Sequence, residues 1–373
     1  MTFSRTALAL LALGTIAGCT GQTPPTQAAP ALRTTAGPTY INYDDLAWTD
    51  DPGIPLRSVA RWKTLLGSGG VFGEGLPDKD MYIRQGEMGP GAIYPKHSHD
   101  SPEFWYFLSG TARWTVDGVT FDVEPGSTVY LKPGSVRTVQ ITSRHKAEIV
   151  RGNWGVACKR DEMLAAFRPG TSTPEENKAK YVFLGEQGYA GYPQPDRARL
   201  PKWNYGSSRQ PAEGSVSNLA PSGAPDSAAR LIHLNEHDVR FPDDPTGVRR
   251  WKKLVGDSNA NWGEGLPDKE LSFGVGELGS GGVYDIHQHA WPEFYYVISG
   301  QLTVAVDGKE NVANPGELIL HRPWAIHRSV VTSRSEAKVL WANWVTNCDR
   351  SVLQAPYKIF GPMPSQPKSA RLW

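Results

Sequence analysis

The stretch that decides the fold runs from Gly281 to Gly300 and reads GGVYDIHQHAWPEFYYVISG. Val283 to His289 is rich in β-branched, aromatic and imidazole side chains, which suits a strand, and successive strand residues point to opposite faces. His287 and His289 therefore share a face and project two imidazoles into one space. Pro292 breaks that strand and Glu293 opens the next, so its carboxylate can swing back toward the pair. Farther on, His327 ends a second strand-flanked turn, Arg322-Pro323-Trp324-Ala325-Ile326-His327. Three neutral imidazoles and one carboxylate are a donor set for a divalent first-row metal. A His-x-His tripeptide alone reads more simply as two surface histidines on a half-exposed strand. The carboxylate, the flanking glycines and the distal histidine separate the two readings.

Gly281, five residues, His287-x-His289, three residues, Glu293, six residues and Gly300 together resemble the first cupin motif at every position. A second motif is similar from Gly316 through five residues to a turn ending at His327. It departs from the family pattern with Arg322 at the usual proline and Trp324 at the usual glycine, which alters the turn more than the ligand. The resemblance implies an all-β fold and a metal held by His287, His289, Glu293 and His327.

The same pattern occurs twice. Gly73 to Lys79 reads GEGLPDK and recurs at Gly263 to Lys269; a shift of 190 (287 − 97) maps His97, His99, Glu103, Gly110, Trp154 and Cys158 onto His287, His289, Glu293, Gly300, Trp344 and Cys348. Upstream, Arg61-Trp62-Lys63 pairs with Arg250-Trp251-Lys252 after a one-residue adjustment. Val116-Asp117-Gly118 and Val306-Asp307-Gly308 are hairpin turns, and Pro-Gly pairs punctuate the remaining short apolar runs. Many short strands at this spacing suggest a double-sheet jelly roll or barrel. The expected architecture is thus two tandem cupin barrels (double-stranded β-helix, jelly-roll) from internal duplication, over residues 40–165 and 231–353. An interdomain linker covers 166–230, with an aromatic patch at Tyr189, Tyr192, Trp203 and Tyr205, and part of it is expected to run across the barrels. A Pro-rich C-terminal arm covers 354–373 and either packs or frays.

The 373 residues suffice for two domains, and the 39 glycines and 30 prolines lean toward a turn-rich β architecture. A net charge of +1 with no large basic cluster argues against a nucleic-acid surface. The N-terminus carries one Arg, an apolar run from Ala7 to Ala17 and then Ile16-Ala17-Gly18-Cys19, a secretory signal too short to span a membrane. Its end resembles a bacterial lipoprotein box over residues 1–19, which implies lipidation at Cys19; Thr20 in place of Asp favours outer-membrane sorting of a periplasmic protein. The alternative is an ordinary cleaved signal. Residues 20–39 read as a flexible tether. Cys158 and Cys348 hold equivalent places in the repeat, and either pair in an oxidising compartment or remain two buried thiols.

The first repeat keeps His97, His99 and Glu103 but has Arg137 where the second has His327. A guanidinium cannot ligate a metal, and Arg137 would pair with Glu103 and occupy the site. Trp105 shares the parity of Glu103 and should point inward, while the side of Trp114 is open. The rival reading keeps a two-His, one-carboxylate triad there, with Arg137 receiving an anionic substrate. One divalent ion per chain is expected, with Fe(II) favoured and Mn, Zn, Ni or Cu as alternatives. Tyr295 shares a strand face with Glu293, so its phenol is a candidate proton donor or base; the bland alternative is barrel filling. Trp291, Trp324, Tyr284 and Phe294 are pocket or core candidates. His321 is left unassigned because the turn at Pro323 removes the parity argument, and His233 and His237 read as surface residues.

These observations favour an enzyme acting on a small oxygenated molecule, of the dioxygenase type. One alternative is a lyase similar to cupin lyases acting on dimethylsulfoniopropionate, in which a tyrosine takes an α-proton. A second is a lipid-tethered receptor for a sugar acid, and a decarboxylase resembling oxalate decarboxylase stands behind both. The membrane is a partner only through the lipid anchor, and an oligomer is compatible with the sequence.

Overall fold

The computed structural model describes residues 40–41, 45–49, 56, 58–67, 75–158, 232–239, 249–256, 265–287, 289, 291–323, 325–349, 351, 358–360 and 362–372. In chain order the strands are β1 (Tyr40–Ile41), β2 (Ala60–Leu66), β3 (Met81–Met88), β4 (Ile93–Ser98), β5 (Glu103–Ser109), β6 (Ala112–Val116), β7 (Val119–Val123), β8 (Ser127–Leu131), β9 (Arg137–Ile141) and β10 (Ala147–Trp154) in the first half. The second half holds β11 (His233–Asn235), β12 (Arg249–Val255), β13 (Leu271–Leu278), β14 (Val283–His287), β15 (Glu293–Ser299), β16 (Leu302–Val306), β17 (Lys309–Ala313), β18 (Leu318–His321), β19 (His327–Val331), β20 (Ala337–Trp344) and β21 (Lys358–Ile359).

Each repeat folds into two facing antiparallel sheets. In the first, β8-β5-β10-β3-β2 faces β4-β9-β6-β7; in the second, β18-β15-β20-β13-β12 faces β14-β19-β16-β17. The hairpins read from Asp-Gly are present: Asp117 and Gly118 have φ of 48° and 87°, Asp307 and Gly308 of 46° and 82°. Both central residues in the left-handed region match the twist of the flanking strands.

The repeats are stitched by exchange. β1 precedes the first barrel but pairs with β18 of the second, while β11 precedes the second barrel and pairs with β8 of the first. The sequence boundaries separate the repeats without separating the sheets. His233 accordingly is no surface residue: it sits in β11, stacked on Phe121 at 5.3 Å, with Nε2 3.0 Å from Ser127 Oγ. His237 keeps an exposed side chain. The C-terminal arm packs on the first barrel, where β21 pairs with β4, Gln366 brackets the backbone of Ile93, and the Leu372 N–H donates to Ser58 O.

Alternation along β5 and β15 divides the core. Phe104 and Tyr106, with Phe294 and Tyr296, belong to one cluster shared by both barrels, in which Phe104 stacks on Phe273 at 4.0 Å. The intervening Trp105 and Phe107, and Tyr295 and Val297, fill the barrel interiors. Each such fully buried side chain contributes about 1.5–3 kcal/mol, so the domain interface is built as a core. Phe294 is thus a core residue. Trp114, left open by the sequence, points inward and packs 5.0 Å from Trp105. Beside the domain junction, Cys158 and Cys348 are joined as a disulfide with Cα atoms 4.3 Å apart.

Candidate metal centre

In the second barrel β14 pairs with β19 as Val283↔Val330 and Tyr284↔Ser329, then slips so that His287 faces His327. The alternation expected from Val283 to His289 is therefore interrupted, and the strand ends at His287. This bulge brings Tyr284 and His287 together, ring centroids 4.5 Å apart, and His289 reaches the same space from the segment beyond the strand. Glu293 is the first residue of β15 and His327 the first of β19, so all four side chains enter at one end of the barrel.

Their ligand atoms, one each from His287, His289, Glu293 and His327, lie within 4.8 Å of one another. Three imidazoles converge on Glu293 Oε2: His289 Nε2 at 3.5 Å, His327 Nε2 at 3.3 Å and His321 Nδ1 at 3.0 Å. His289 Nδ1 lies 2.7 Å from Trp291 O, and His327 Nδ1 lies 2.9 Å from Ala325 O. A carbonyl can only accept, so Nδ1 carries the proton in both rings and Nε2 presents its lone pair. Among the described residues neither Nε2 has a partner with hydrogen-bond geometry, although both are buried. Two buried lone pairs beside a carboxylate are the donor set of a divalent metal, and the site fits such an ion.

The electrostatics agree. Burial, with the neighbouring His321 and His289, pushes His327 down to about 3, so the ring is neutral near pH 7. Burial works against ionisation of Glu293, but the imidazoles of His289, His321 and His327 around the carboxylate, with His321 Nδ1 donating to Oε2, outweigh it and hold the carboxyl well below its ordinary range. Asn343 Nδ2 donates to Glu293 Oε1 at 3.3 Å. A small cavity beside the centre is lined by Trp251, Tyr284, Glu293, Tyr295 and Trp341. Among the described residues the buried Tyr295 hydroxyl has no partner in hydrogen-bond geometry, and burial and the nearby Glu293 charge raise its pKa well above the ordinary value.

The first barrel repeats the scaffold with different chemistry. His97, His99 and Glu103 hold the same places, but Arg137 Nη2 donates to Glu103 Oε2 at 2.6 Å, and Arg151 Nη1 stands 3.6 Å from Glu103 Oε1. Burial opposes ionisation of Glu103, and the two guanidiniums overcome it and hold the carboxyl low. Burial and the Arg137 charge push His97 down to about 3. Two cations occupy this interior where the second barrel has His327 and Trp341.

Residues 85–150 and 274–343 each match the family described as the cupin domain. The protein carries two cupin domains in tandem. The bicupin architecture is seen also in solved structures: oxalate decarboxylase from Lactobacillus farciminis superposes with a TM-score of 0.52 at 14% identity, covering 85% of this chain and 89% of that one. A Bacillus subtilis oxalate decarboxylase OxdC variant gives 0.51 at 16%, covering 86% and 80%. At these identities the likeness is one of fold. Among curated proteins, the dimethylsulfoniopropionate lyase DddW of Ruegeria pomeroyi is 34% identical over 80 residues, which is 21% of this chain and 49% of that relative. The match thus spans about half the length of the curated relative.

The second cupin domain brings together all four residues singled out as ligands, and Tyr295 beside them. Trp291 stacks on His289 at 4.8 Å with planes 10° apart. Trp324, Cys19 and the aromatic linker patch lie outside the described residues. Sequence reasoning missed His321, Asn343, Trp251 and Trp341 as parts of the site. For His321 and Trp341 a signal existed: they align with Leu131 and Arg151, so each marks a position where the two cupin domains differ in chemistry.

Proposed function

We propose that the second cupin domain is a metal-dependent lyase for a small carboxylate bearing a leaving group on its β-carbon. The observation that carries this reading is the Tyr295 hydroxyl, buried on the wall of the cavity that also holds Glu293, with no partner in hydrogen-bond geometry among the described residues. The partial likeness to a lyase supports it. His287, His289, Glu293 and His327 are the residues to hold the ion, which when bound would supply a Lewis acid for the substrate carboxylate.

The rest is done by the chain. Tyr295 Oη takes the proton from the α-carbon; the C–H electron pair becomes the new double bond, and the leaving group departs from the β-carbon with its own bonding pair. With burial and the Glu293 charge raising its pKa, the phenol is a proton donor at neutral pH in the ion-free protein. It becomes a base only when positive charge among the ligands offsets Glu293. His321 and Asn343 hold the two carboxylate oxygens of Glu293 and keep it beside the phenol. Trp251 and Trp341 line the cavity with apolar surface and limit water. In the first cupin domain Trp105 stands at the place of Tyr295, so that domain is read as a structural partner. An envelope location, with Cys19 as lipid anchor, is part of the proposal, and a disulfide between Cys158 and Cys348 supports an oxidising compartment.

The test is an anaerobic incubation of metal-loaded protein with β-substituted carboxylates, followed by NMR for the unsaturated acid. Tyr295→Phe should abolish product while retaining the metal. Full activity in that variant, or an absolute requirement for O₂, would sink the lyase reading. Tight ligand binding without any product would leave a receptor.

A further inference from the structure

Strands lent from outside each barrel cover three sheet edges. β8 takes β11, β18 takes β1 and β4 takes β21, whereas β14, the counterpart of β4, pairs with β19 alone among the described residues. An open edge presents a row of N–H and C=O groups and is a template for a further strand. What covers β4 shows what fits β14. The chain leaves β20 at Trp344, passes Cys348 and enters β21 at Lys358. Lys358 then pairs with Ser98 and Ile359 with His97, and the Phe360 N–H donates to Lys96 O at 2.9 Å. Farther along, the arm lies so close to the first barrel that a Cβ on Gly89 would come within 1.7 Å of Ala370 O.

The sequence of this arm occurs twice. The shift of 190 that relates the two domains continues past Cys158 and Cys348: Arg160, Ala165, Pro174 and Lys178 recur as Arg350, Ala355, Pro364 and Lys368, and Phe167-Arg168 recurs as Tyr357-Lys358. The lead-in has one length, 14 residues from Trp154 to Arg168 (168 − 154) and 14 from Trp344 to Lys358 (358 − 344). Both copies also start from one geometry. Asp80 Oδ1 accepts the Cys348 N–H at 3.3 Å, and Glu270 Oε1, at the place of Asp80, accepts the Cys158 N–H at 3.3 Å. The two chain segments therefore leave their domains in equivalent ways, as β1 and β11 enter them in equivalent ways on β18 and β8. Residues 159–231 lie outside the described residues.

We infer that the open edge of β14 takes residues 167–170 of the same chain as an added strand, in the register that sets Pro169 against His287 and donates the Gly170 N–H to Ile286 O. Each domain is then bound by the segment that leaves the other, and the strand ending on His287 gains a second neighbour. The departures from the C-terminal copy fit this register. Pro169 stands at Ile359, and because Phe360 supplies the ladder bond, alternation leaves the Ile359 N–H off the ladder. A proline there costs no bond. Gly279 keeps the glycine that makes room for the arm at Gly89.

Hydrogen exchange of the full chain, resolved to single amides, compares Gly170 with Phe360. Both should be protected, Gly170 by about tenfold or more over an unstructured peptide of the same sequence. Oxidative cross-linking reads the partner. Phe360 and Lys96 are both exposed, so Phe360→Cys with Lys96→Cys is the control and Gly170→Cys with Ile286→Cys is the test, with bonds located by peptide mapping without reductant. A bond between positions 170 and 286 of one chain, at a yield comparable to the control, supports the inference. Unprotected Gly170 beside protected Phe360 overturns it, as does a control bond formed without the test bond. A bond between positions 170 and 286 of two chains, seen as a covalent dimer, also overturns it and gives the edge to a second copy.

Discussion

His321 lies stacked on His327, with ring centroids 4.0 Å apart and planes 15° from parallel. Its Nδ1 donates to Glu293 Oε2 at 3.0 Å. It is fully buried, yet it is not one of the four converging ligands. Its place is behind the centre, orienting one ligand by a hydrogen bond and another by ring contact. Partners of this kind, when removed, cost metal affinity by about 10–100-fold. His321→Leu, which installs the residue of the first domain, should weaken binding by that amount in a competition titration with a chromophoric chelator. Unchanged affinity in the folded variant would show that the stack is only packing.

The two domains differ at the fourth ligand, and stoichiometry follows from it. Elemental analysis should find one ion per chain in the wild type and none in His327→Arg, which reproduces the arginine-filled interior of the first domain. Two ions per chain would mean that His97, His99 and Glu103 hold one despite Arg137.

Glu103 depends on its guanidiniums. Arg137 and Glu103 are both buried, at 1% and 0% side-chain exposure, and breaking a buried pair by removing one partner costs about 3–5 kcal/mol. Arg137→Ala should lower the free energy of unfolding by that much in urea. The double variant Arg137→Leu with Glu103→Gln should recover a large part. A loss under about 1 kcal/mol would mean that Arg151 alone neutralises the carboxylate.

Buried histidines set the response to acid. His97 and His327 titrate near 3 in the folded protein and near 6.5 when unfolded. Between those values the unfolded chain binds more protons, so stability falls as pH falls, by about 1.4 kcal/mol per pH unit for each histidine. Glu293 adds to the trend lower down. Its folded value is depressed, so its contribution is present above the unfolded value and is lost as pH drops through the folded one. Denaturant titrations of metal-free protein should give a lower unfolding free energy at pH 5 than at pH 7.5. An equal or higher value at pH 5 would contradict the burial of these rings as neutral imidazoles.

The Cys158–Cys348 bond closes a loop with a sequence separation of 190. Cross-links over long loops typically stabilise by about 2–4 kcal/mol. The double variant Cys158→Ser, Cys348→Ser should melt at a lower temperature by a corresponding amount while still binding one ion. An unchanged melting temperature would mean that the exchanged strands and the shared core already hold the domains together.

Much of the site was legible because its information is local. The spacing of His287, His289 and Glu293 is dictated by a strand, a break and a strand, and the repeat made the Arg137 substitution visible by alignment alone. His321 was not legible, since the turn from Arg322 to Ile326 separates it from His327 and the direction a side chain takes after a turn depends on the turn's own geometry. Alternation alone would set Tyr284 and His287 on opposite faces, and the bulge after Tyr284 resets the parity and brings their rings together.

From the sequence alone came the duplication, the β architecture, the four converging ligands and the filled interior of the first domain, all fixed by residue type and spacing along a few contiguous strands. Tertiary structure decided what depends on long-range pairing: the exchange of β1 and β11 between barrels, the joining of Cys158 to Cys348, and the edge-on contact of Trp251 with Trp341 across three strands. Residues far apart in sequence carry no periodic signal of one another. Only the packing of sheets against each other brings them into contact.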